Sequence, residues 1–321
     1  MPTILITGGH SGIGLAAVRQ LAAKGNDIVL AGRSSGRMQP AADELRARYR
    51  ASVTMLTLDT SSLASVRAAA AQLHKMREAG EIEPLDAILC NAGGRFDGDV
   101  SYSPDGYETT FATNCLGHFL LVELLLASLV EGGRVVYTAS GTHDSQSTDG
   151  KLVGAAVEPD ATALANNGKN GVKALSAGKR YSSSKLCTVM YSYELDRRLR
   201  RSDSSVVSIA FDPGSVPETA FLRGMPKPVQ WISGTPVMKG VSKRIGVITS
   251  DMEFSGASLA ALATDPDYAD RSGEYFQAND GNLSAVRSAQ LSYDKRRARK
   301  LWDDSKQLVH LTANEEPACL R

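Results

Sequence analysis

The chain has few of the features that mark specialised classes of protein. It has four cysteines: Cys90, Cys115, Cys187 and Cys319. They show no paired spacing, which argues against a disulfide-bonded scaffold. The formal net charge is only +1 over 321 residues, so no global field favours binding to nucleic acid. The longest apolar run, 119–130, is broken by Glu123 and is too short to cross a bilayer, and no leader precedes the first apolar segment. We therefore expect a soluble, cytoplasmic protein.

Short apolar strands alternate with helical patterns along the chain, and no internal repeat is visible. The apolar segments that predict strands include 3–7, 27–33, 53–58, 85–90, 133–140 and 206–211. Such alternation is typical of parallel βαβ units with right-handed crossovers. We predict one α/β domain over residues 1–321, a doubly wound (Rossmann) parallel sheet of about seven strands with helices on both faces.

The first strand runs directly into a glycine-rich turn and then into a helix. The turn reads Gly8-Gly9-His10-Ser11-Gly12-Ile13-Gly14, and a helical stretch follows from Leu15. Backbone N–H groups at a helix start favour an anion, and glycines let phosphates approach the backbone closely. A glycine cluster alone could be a plain tight turn, but between a strand and a helix it indicates a pyrophosphate cradle.

The end of the second strand carries Gly32 and Arg33 where NAD-binding folds place a carboxylate. No acid is present to repel a 2′-phosphate, and the Arg33 guanidinium can pair with one. Ser11, Ser34 and Arg37 could add donors. The sequence therefore favours NADP(H) over NAD(H), the alternative being that Arg33 is an ordinary surface charge.

The segment Tyr181-Ser182-Ser183-Ser184-Lys185 places a phenol and an ammonium one helical turn apart. A neighbouring cation lowers a phenol pKa toward the working range of a proton donor. Asn91 and Ser140 follow predicted strands, and the carboxyl ends of parallel strands meet at one edge, so both should face the same crevice. A lone Tyr-x-x-x-Lys match could be accidental, but this convergence indicates an active site.

These motifs occur together in the order typical of one family. The chain resembles the short-chain dehydrogenase/reductase family in Thr7-Gly8-x-x-x-Gly12-Ile13-Gly14, Asn91-Ala92-Gly93, Asn114, Ser140, Tyr181-x-x-x-Lys185 and Asp212-Pro213-Gly214. The resemblance implies that Tyr181 is the acid or base, that Lys185 lowers its pKa and bonds the nicotinamide ribose, and that Ser140 orients the substrate. It further implies that Asn114 supports a proton-relaying water.

The resemblance also implies a set of cofactor contacts. Asp59 would meet the adenine, and Val216 would meet the nicotinamide amide through its backbone. The predicted cofactor-binding residues are Gly8, His10, Ser11, Gly12, Ile13, Gly14, Arg33, Asp59, Thr60, Asn91, Ala92, Gly93, Tyr181, Lys185, Pro213, Gly214 and Val216. We predict no metal in this site.

Within the family, the chain is most similar to the retinol dehydrogenase and light-dependent protochlorophyllide reductase group. The likeness lies in Asn114-Cys115-Leu116-Gly117-His118-Phe119-Leu120, in Ser272-Gly273-Glu274-Tyr275-Phe276 and in Leu301-Trp302-x-x-Ser305. Protochlorophyllide reductases resemble one another in a cysteine after the last Pro-Gly, where this chain has Ser215, and usually in an alanine where it has Gly93. A thermal carbonyl or alcohol enzyme is therefore the better expectation than a photochemical one.

Two irregular segments are expected to set the substrate. A long insert, 141–180, separates Ser140 from Tyr181, and a second segment, 217–250, occupies the substrate-binding lid position. Phe221 and Trp231 of the lid could line an apolar pocket or simply pack the lid onto the core. His143 either touches substrate or is a loop histidine with backbone partners.

The sequence thus predicts an NADP(H)-dependent oxidoreductase, a carbonyl reductase in type, acting on a ketone or secondary alcohol of a bulky apolar small molecule. Reduction of an activated C=C bond, as the protochlorophyllide likeness allows, is the second interpretation. A non-catalytic NADP(H)-binding regulator is the third. A monomer and a homo-oligomer both remain open.

Overall fold

One sheet carries every strand of the computed structural model, which describes residues 1–216 and 248–320. The strands are β1 (Thr3–Thr7), β2 (Asp27–Gly32), β3 (Val53–Thr57), β4 (Leu85–Cys90), β5 (Leu129–Thr138), β6 (Val207–Asp212), β7 (Glu274–Asn279) and β8 (Asn282–Ala285). Their order is β3-β2-β1-β4-β5-β6-β7-β8. The strand order reverses beside β1, as in other doubly wound folds. The predicted fold class is confirmed.

The sheet has eight strands where about seven were expected, because the last of them is a short hairpin partner. All neighbouring pairs from β3 to β7 are parallel, whereas β7 and β8 are antiparallel. The two strands are joined by Asp280 and Gly281, with φ of 51° and 76°. A two-residue turn with both φ values positive matches the strand twist, and Asp-Gly is a favoured pair for it.

Helices cover both faces of the sheet, as predicted. They are α1 (Gly12–Ala23), α2 (Ser35–Tyr49), α3 (Leu63–Glu78), α4 (Thr109–Ser128), α5 (Thr148–Val153), α6 (Ala161–Ala165), α7 (Ala177–Arg201), α8 (Met252–Thr264) and α9 (Lys295–Leu308). Buried side chains of α1, α2 and α8 pack on one face, and those of α3, α4, α7 and α9 pack on the other. Successive residues of β4 point to opposite faces of the sheet. Ile88 packs on the face covered by α3, α4, α7 and α9, and Leu89 packs on the face covered by α1, α2 and α8.

Helix α4 is longer than the apolar run in the sequence suggested. By length and composition it could span a bilayer, but 89% of its most apolar window is buried within the protein. A π-helical turn, Ala112–Leu116, interrupts it and carries Asn114. Such single π turns are frequent at functional sites.

The insert at 141–180, expected to be irregular, contains ordered helices. It contains α5, α6 and the start of α7, whose N-termini are capped by Ser147, Asp160 and Ser176. Each capping oxygen accepts a backbone N–H of the first turn, which stabilises these short helices where periodicity is weak. Most of the predicted lid, 217–247, lies outside the described residues, and Phe221 and Trp231 lie there too.

Helix α4 approaches the turn after β3 so closely that only glycine fits at Gly117. A Cβ added there would lie 2.0 Å from the carbonyl oxygen of Thr60. Since Thr60 lines the cleft described below, this contact also fixes one wall of the site.

We expect Gly117→Ala to lower the free energy of unfolding by about 1–3 kcal/mol, because overpacking outweighs the better helix propensity of alanine. Gly36→Ala in α2 is the matched control, since its nearest neighbour would be Ser34 Oγ at 3.9 Å. The control should be neutral or stabilising by up to about 1 kcal/mol. Urea unfolding measures both, and equal stabilisation by the two variants would contradict the close contact.

Candidate active site

A cleft of about 860 Å³ opens at the carboxyl ends of the central strands. Every predicted cofactor-binding residue lines it, and so does Ser140. These residues come from the segments that follow β1, β2, β3, β4, β5 and β6 and from helix α7. The parallel sheet therefore brings together motifs that are as far apart in sequence as Gly8 and Val216.

The glycine turn after β1 forms one end of the cleft. A Cβ at Gly14 would lie 2.6 Å from the carbonyl oxygen of Gly8, so no side chain fits there. Gly12 has φ +55°, and an added Cβ would meet nothing within 4 Å. The N-cap Ser11 uses its side chain for no capping hydrogen bond. The start of α1 thus presents bare backbone and a hydroxyl to the cleft, which fits a pyrophosphate.

Two arginines line the cleft beyond this turn. Arg33 follows β2, and Arg37 lies in the first turn of α2. Burial and the nearby charges of Arg37 and Arg33 lower the pKa of His10, which also lines the cleft. His10 is therefore neutral at pH 7, and the positive field of this corner suits an additional phosphate.

The second end of the cleft holds Tyr181, Ser140 and Lys185. The Tyr181 phenol is hydrogen-bonded to the Ser140 side chain. Lys185 Nζ lies 5.6 Å from the centroid of the Tyr181 ring and donates to the carbonyl oxygen of Thr138 at 2.7 Å. The i, i+4 spacing on α7 and the end of β5 therefore place the three groups together.

The electrostatics of this triad differ from the prediction that Lys185 lowers the tyrosine pKa. Burial raises the pKa of Tyr181 to about 12; the Ser140 hydrogen bond and the Arg95 charge pull it down, whereas the Asp212 charge adds to the rise. Burial lowers the pKa of Lys185 to about 8. Desolvation outweighs the proximity of the ammonium, so the phenol is protonated at neutral pH.

The two predicted asparagines stabilise the loop after β4. Asn91 donates through Nδ2 to the Thr7 carbonyl oxygen at 3.0 Å, and its backbone N–H donates to Thr7 Oγ1 at 2.9 Å. Asn114 is buried behind the cleft rather than lining it. Its Oδ1 accepts from Gly94 N, and its Nδ2 donates to Gly94 O and to Ser184 Oγ.

His143, predicted as a substrate contact or a loop histidine, takes the second role. It is 3% exposed and is not among the residues that line the cleft. Nδ1 lies 2.7 Å from the Ser140 carbonyl oxygen, and Nε2 accepts from Ala289 N at 2.9 Å. Both ring nitrogens are thus engaged by backbone, and the substrate-binding assignment is corrected.

Three charged side chains that were not predicted as site residues line the cleft: Arg95, Asp149 and Asp212, the last of which belongs to the motif Asp212-Pro213-Gly214. Burial and the charge of Asp212 raise the pKa of Asp149 to about 6. Asp212 Oδ2 accepts from Tyr275 and Gln277. Arg95 could have been found from its position just after Asn91-Ala92-Gly93-Gly94, whereas nothing in the irregular insert marks Asp149. Among the described residues, no group of three or more His, Cys, Asp or Glu side chains could hold a metal.

Comparisons with known proteins agree with this geometry. A family model for short chain dehydrogenase matches residues 2–155. Protochlorophyllide reductase A of Oryza sativa subsp. japonica is 31% identical over 324 residues, 96% of this chain and 80% of that protein. Short-chain dehydrogenase TIC 32 A of Brassica napus is 29% identical, over 96% of this chain and 88% of the relative.

A solved structure shares the fold at lower identity. The blue fluorescent protein from a metagenomic library, in complex with NADPH, superposes with a TM-score of 0.62 at 22% identity, covering 87% of this chain and 97% of that one. The chain belongs to the short-chain dehydrogenase/reductase family of oxidoreductases, with protochlorophyllide reductases among its relatives.

Proposed function

We propose that this protein is an NADP(H)-dependent oxidoreductase that transfers hydride between nicotinamide and a ketone or secondary alcohol of a bulky, largely apolar small molecule. The observation that carries the proposal is the convergence of the Tyr181 phenol, the Ser140 hydroxyl and the Lys185 ammonium in one cleft with the glycine turn of β1. A pure binder has no need of all three groups.

The proposed chemistry follows from where charge develops. The bound nicotinamide would supply or take up the hydride. During reduction, negative charge grows on the substrate oxygen, and the hydroxyls of Tyr181 and Ser140 stabilise that charge more in the transition state than in the ground state. Tyr181, protonated at neutral pH, then donates its proton to the oxygen. Lys185, on the same helix face, supplies a positive charge beside the phenol.

The preference for NADP(H) rests on the residues of the adenosine end. Arg33 and Arg37 would pair with the 2′-phosphate, with Ser11 as a further donor, and the neutral His10 would pack beside them. The glycine turn would hold the pyrophosphate. Asp59 and Thr60 would contact the adenine. The nicotinamide would be contacted by the segment after β6, through Pro213, Gly214 and Val216. The fold likeness to an NADPH complex at 22% identity supports the scaffold alone.

Reduction of an activated C=C bond is the second candidate, and the 31% identity to protochlorophyllide reductase A favours it specifically. Ser215 in place of the cysteine expected in that group argues for a thermal reaction in either case. For this domain we propose a cytoplasmic location, since its cysteines are free and three are buried.

The function is tested by following NADPH and NADH oxidation against a panel of bulky ketones and one conjugated enone, with product analysis. We expect NADPH to be preferred, and Arg33→Ala to lose about tenfold or more of kcat/KM for NADPH with little change for NADH, since a charge-assisted contact contributes about 1.5–3 kcal/mol. An NADH preference unchanged in Arg33→Ala would refute the cofactor assignment. Saturation of the enone C=C bond without carbonyl reduction would favour the second candidate.

A pH profile tests the assignment of Lys185. With a pKa of about 8, Lys185 is charged below that pH and neutral above it. We therefore expect kcat/KM for NADPH, which reports free-enzyme ionisations, to fall by about tenfold per pH unit above pH 8. In Lys185→Arg the guanidinium keeps its charge, so any residual activity should lack this fall. A flat wild-type profile from pH 7 to about 9.5 would contradict the assignment.

A further inference from the structure

A buried ion pair lies directly beside the candidate active site. Arg180 Nε is 3.2 Å from Glu108 Oε1, and the two residues are 5% and 2% exposed. Burying two charges costs free energy that a simple pair seldom recovers, and apolar replacements are often as stable. Stability alone therefore explains this pair poorly, and its other contacts indicate what it does.

The guanidinium of Arg180 donates to three carbonyl oxygens in two backbone segments, the insert and the loop after β4. Its Nη1 donates to the Leu175 carbonyl oxygen at 3.0 Å, and its Nη2 donates to Phe96 O at 2.9 Å and to Gly98 O at 3.3 Å. Leu175 belongs to the insert, and Phe96 lines the cleft. Arg180 directly precedes Tyr181, so the loop after β4 is fixed relative to the proton donor.

The carboxylate of Glu108 organises the helix that carries Asn114. Oε1 accepts from Thr110 N at 2.9 Å and from Thr110 Oγ1 at 2.8 Å, and Oε2 accepts from Phe111 N at 2.9 Å. These bonds cap the first turn of α4, immediately before its π-helical turn. The direction of the first turn therefore determines where Asn114 meets Gly94 and Ser184.

We propose that Glu108 and Arg180 are a positioning pair that holds Tyr181, Asn114 and the Arg95–Phe96 wall in one arrangement. This inference deepens the proposed function and rests on it. Arg95 is the relevant wall residue, because its charge lowers the pKa of Tyr181 against the effect of burial. Displacing the wall removes that contribution and widens the substrate end of the cleft.

Charge balance and positioning can be separated with single and double variants. Arg180→Met or Glu108→Gln alone leaves one buried charge unpaired and should clearly lower the urea concentration at the midpoint of unfolding. The double variant removes both charges and should regain most of that loss, yet it lacks the contacts to Phe96, Gly98 and Leu175. Arg180→Lys keeps the positive charge but loses the planar guanidinium that donates to several carbonyl oxygens. This variant tests the positioning role if the other variants do not fold.

The chain offers a matched control in Arg67 and Glu315. Arg67 Nε lies 2.6 Å from Glu315 Oε1, and its Nη2 donates to two carbonyl oxygens, of Val309 and His310. Neither Arg67 nor Glu315 lines the cleft. The double variant Arg67→Met with Glu315→Gln therefore removes the same kinds of contact away from the site.

The readout is kcat on the best ketone or enone of the panel, with NADPH affinity from quenching of protein fluorescence. We expect the Arg180–Glu108 double variant to lose about 30–100-fold in kcat, as for a small misplacement of catalytic groups, with NADPH affinity within about twofold of wild type. Arg180→Lys should be intermediate, and the Arg67–Glu315 double variant unchanged. A wild-type kcat in the Arg180–Glu108 double variant, or an equal loss in the control, would overturn the proposal.

Hydrogen exchange keeps the test independent of turnover. If the wild type turns over no panel substrate, the proposed function fails, but the positioning claim is still decided by amide exchange in peptides covering 95–98 and 109–114. We expect exchange there to quicken by about tenfold in the Arg180–Glu108 double variant and not in the control. Unchanged exchange would refute the proposal.

Discussion

The parallel alignment of the central strands is the constraint on which the site depends. Because β1, β4, β5 and β6 run in the same direction, the segments after them end at one edge of the sheet. The glycine turn, Asn91, Ser140 and Asp212 reach the same cleft for this reason alone. The long helix α7 then lays Tyr181 and Lys185 against the end of β5, where Lys185 bonds Thr138.

Burial sets the chemistry of that cleft more than any single charge does. It raises the pKa of Tyr181 to about 12, so the phenol is protonated at neutral pH and the ground state favours proton donation over proton abstraction. It also lowers the pKa of Lys185 to about 8, so the ammonium is still mainly charged at neutral pH but loses its proton at a lower pH than an exposed lysine. A lysine one helical turn away does not by itself produce an ionised tyrosine. A positively charged oxidised nicotinamide would add a favourable charge for the reverse reaction, in which a phenolate accepts the proton.

The fold and most of the cleft could be predicted because they depend on local patterns: apolar strands, a glycine turn and an i, i+4 pair. The insert could not, since α5 and α6 are stabilised by the caps Ser147 and Asp160 and by packing rather than by periodicity. Asp149, which lies in the insert, reaches the cleft only through tertiary structure. One of the two backbone partners of His143, Ala289, lies 146 residues away in the sequence. The direction in which the pKa of Tyr181 shifts could not be predicted, because a sequence shows neighbours along a helix but not desolvation.

In the proposed reaction, Tyr181 moves the proton and the nicotinamide supplies the hydride. The most direct measurement is single-turnover oxidation of bound NADPH by wild type and Tyr181→Phe, with NADPH affinity measured in parallel. We expect Tyr181→Phe to lose about 10²–10⁴-fold in rate, the usual contribution of general acid catalysis, with NADPH affinity nearly unchanged. The role of Tyr181 would be contradicted by a Tyr181→Phe protein that binds NADPH and oxidises it at the wild-type rate. It would also be contradicted if Tyr181→Phe kept the protein's biological activity although it no longer oxidised NADPH.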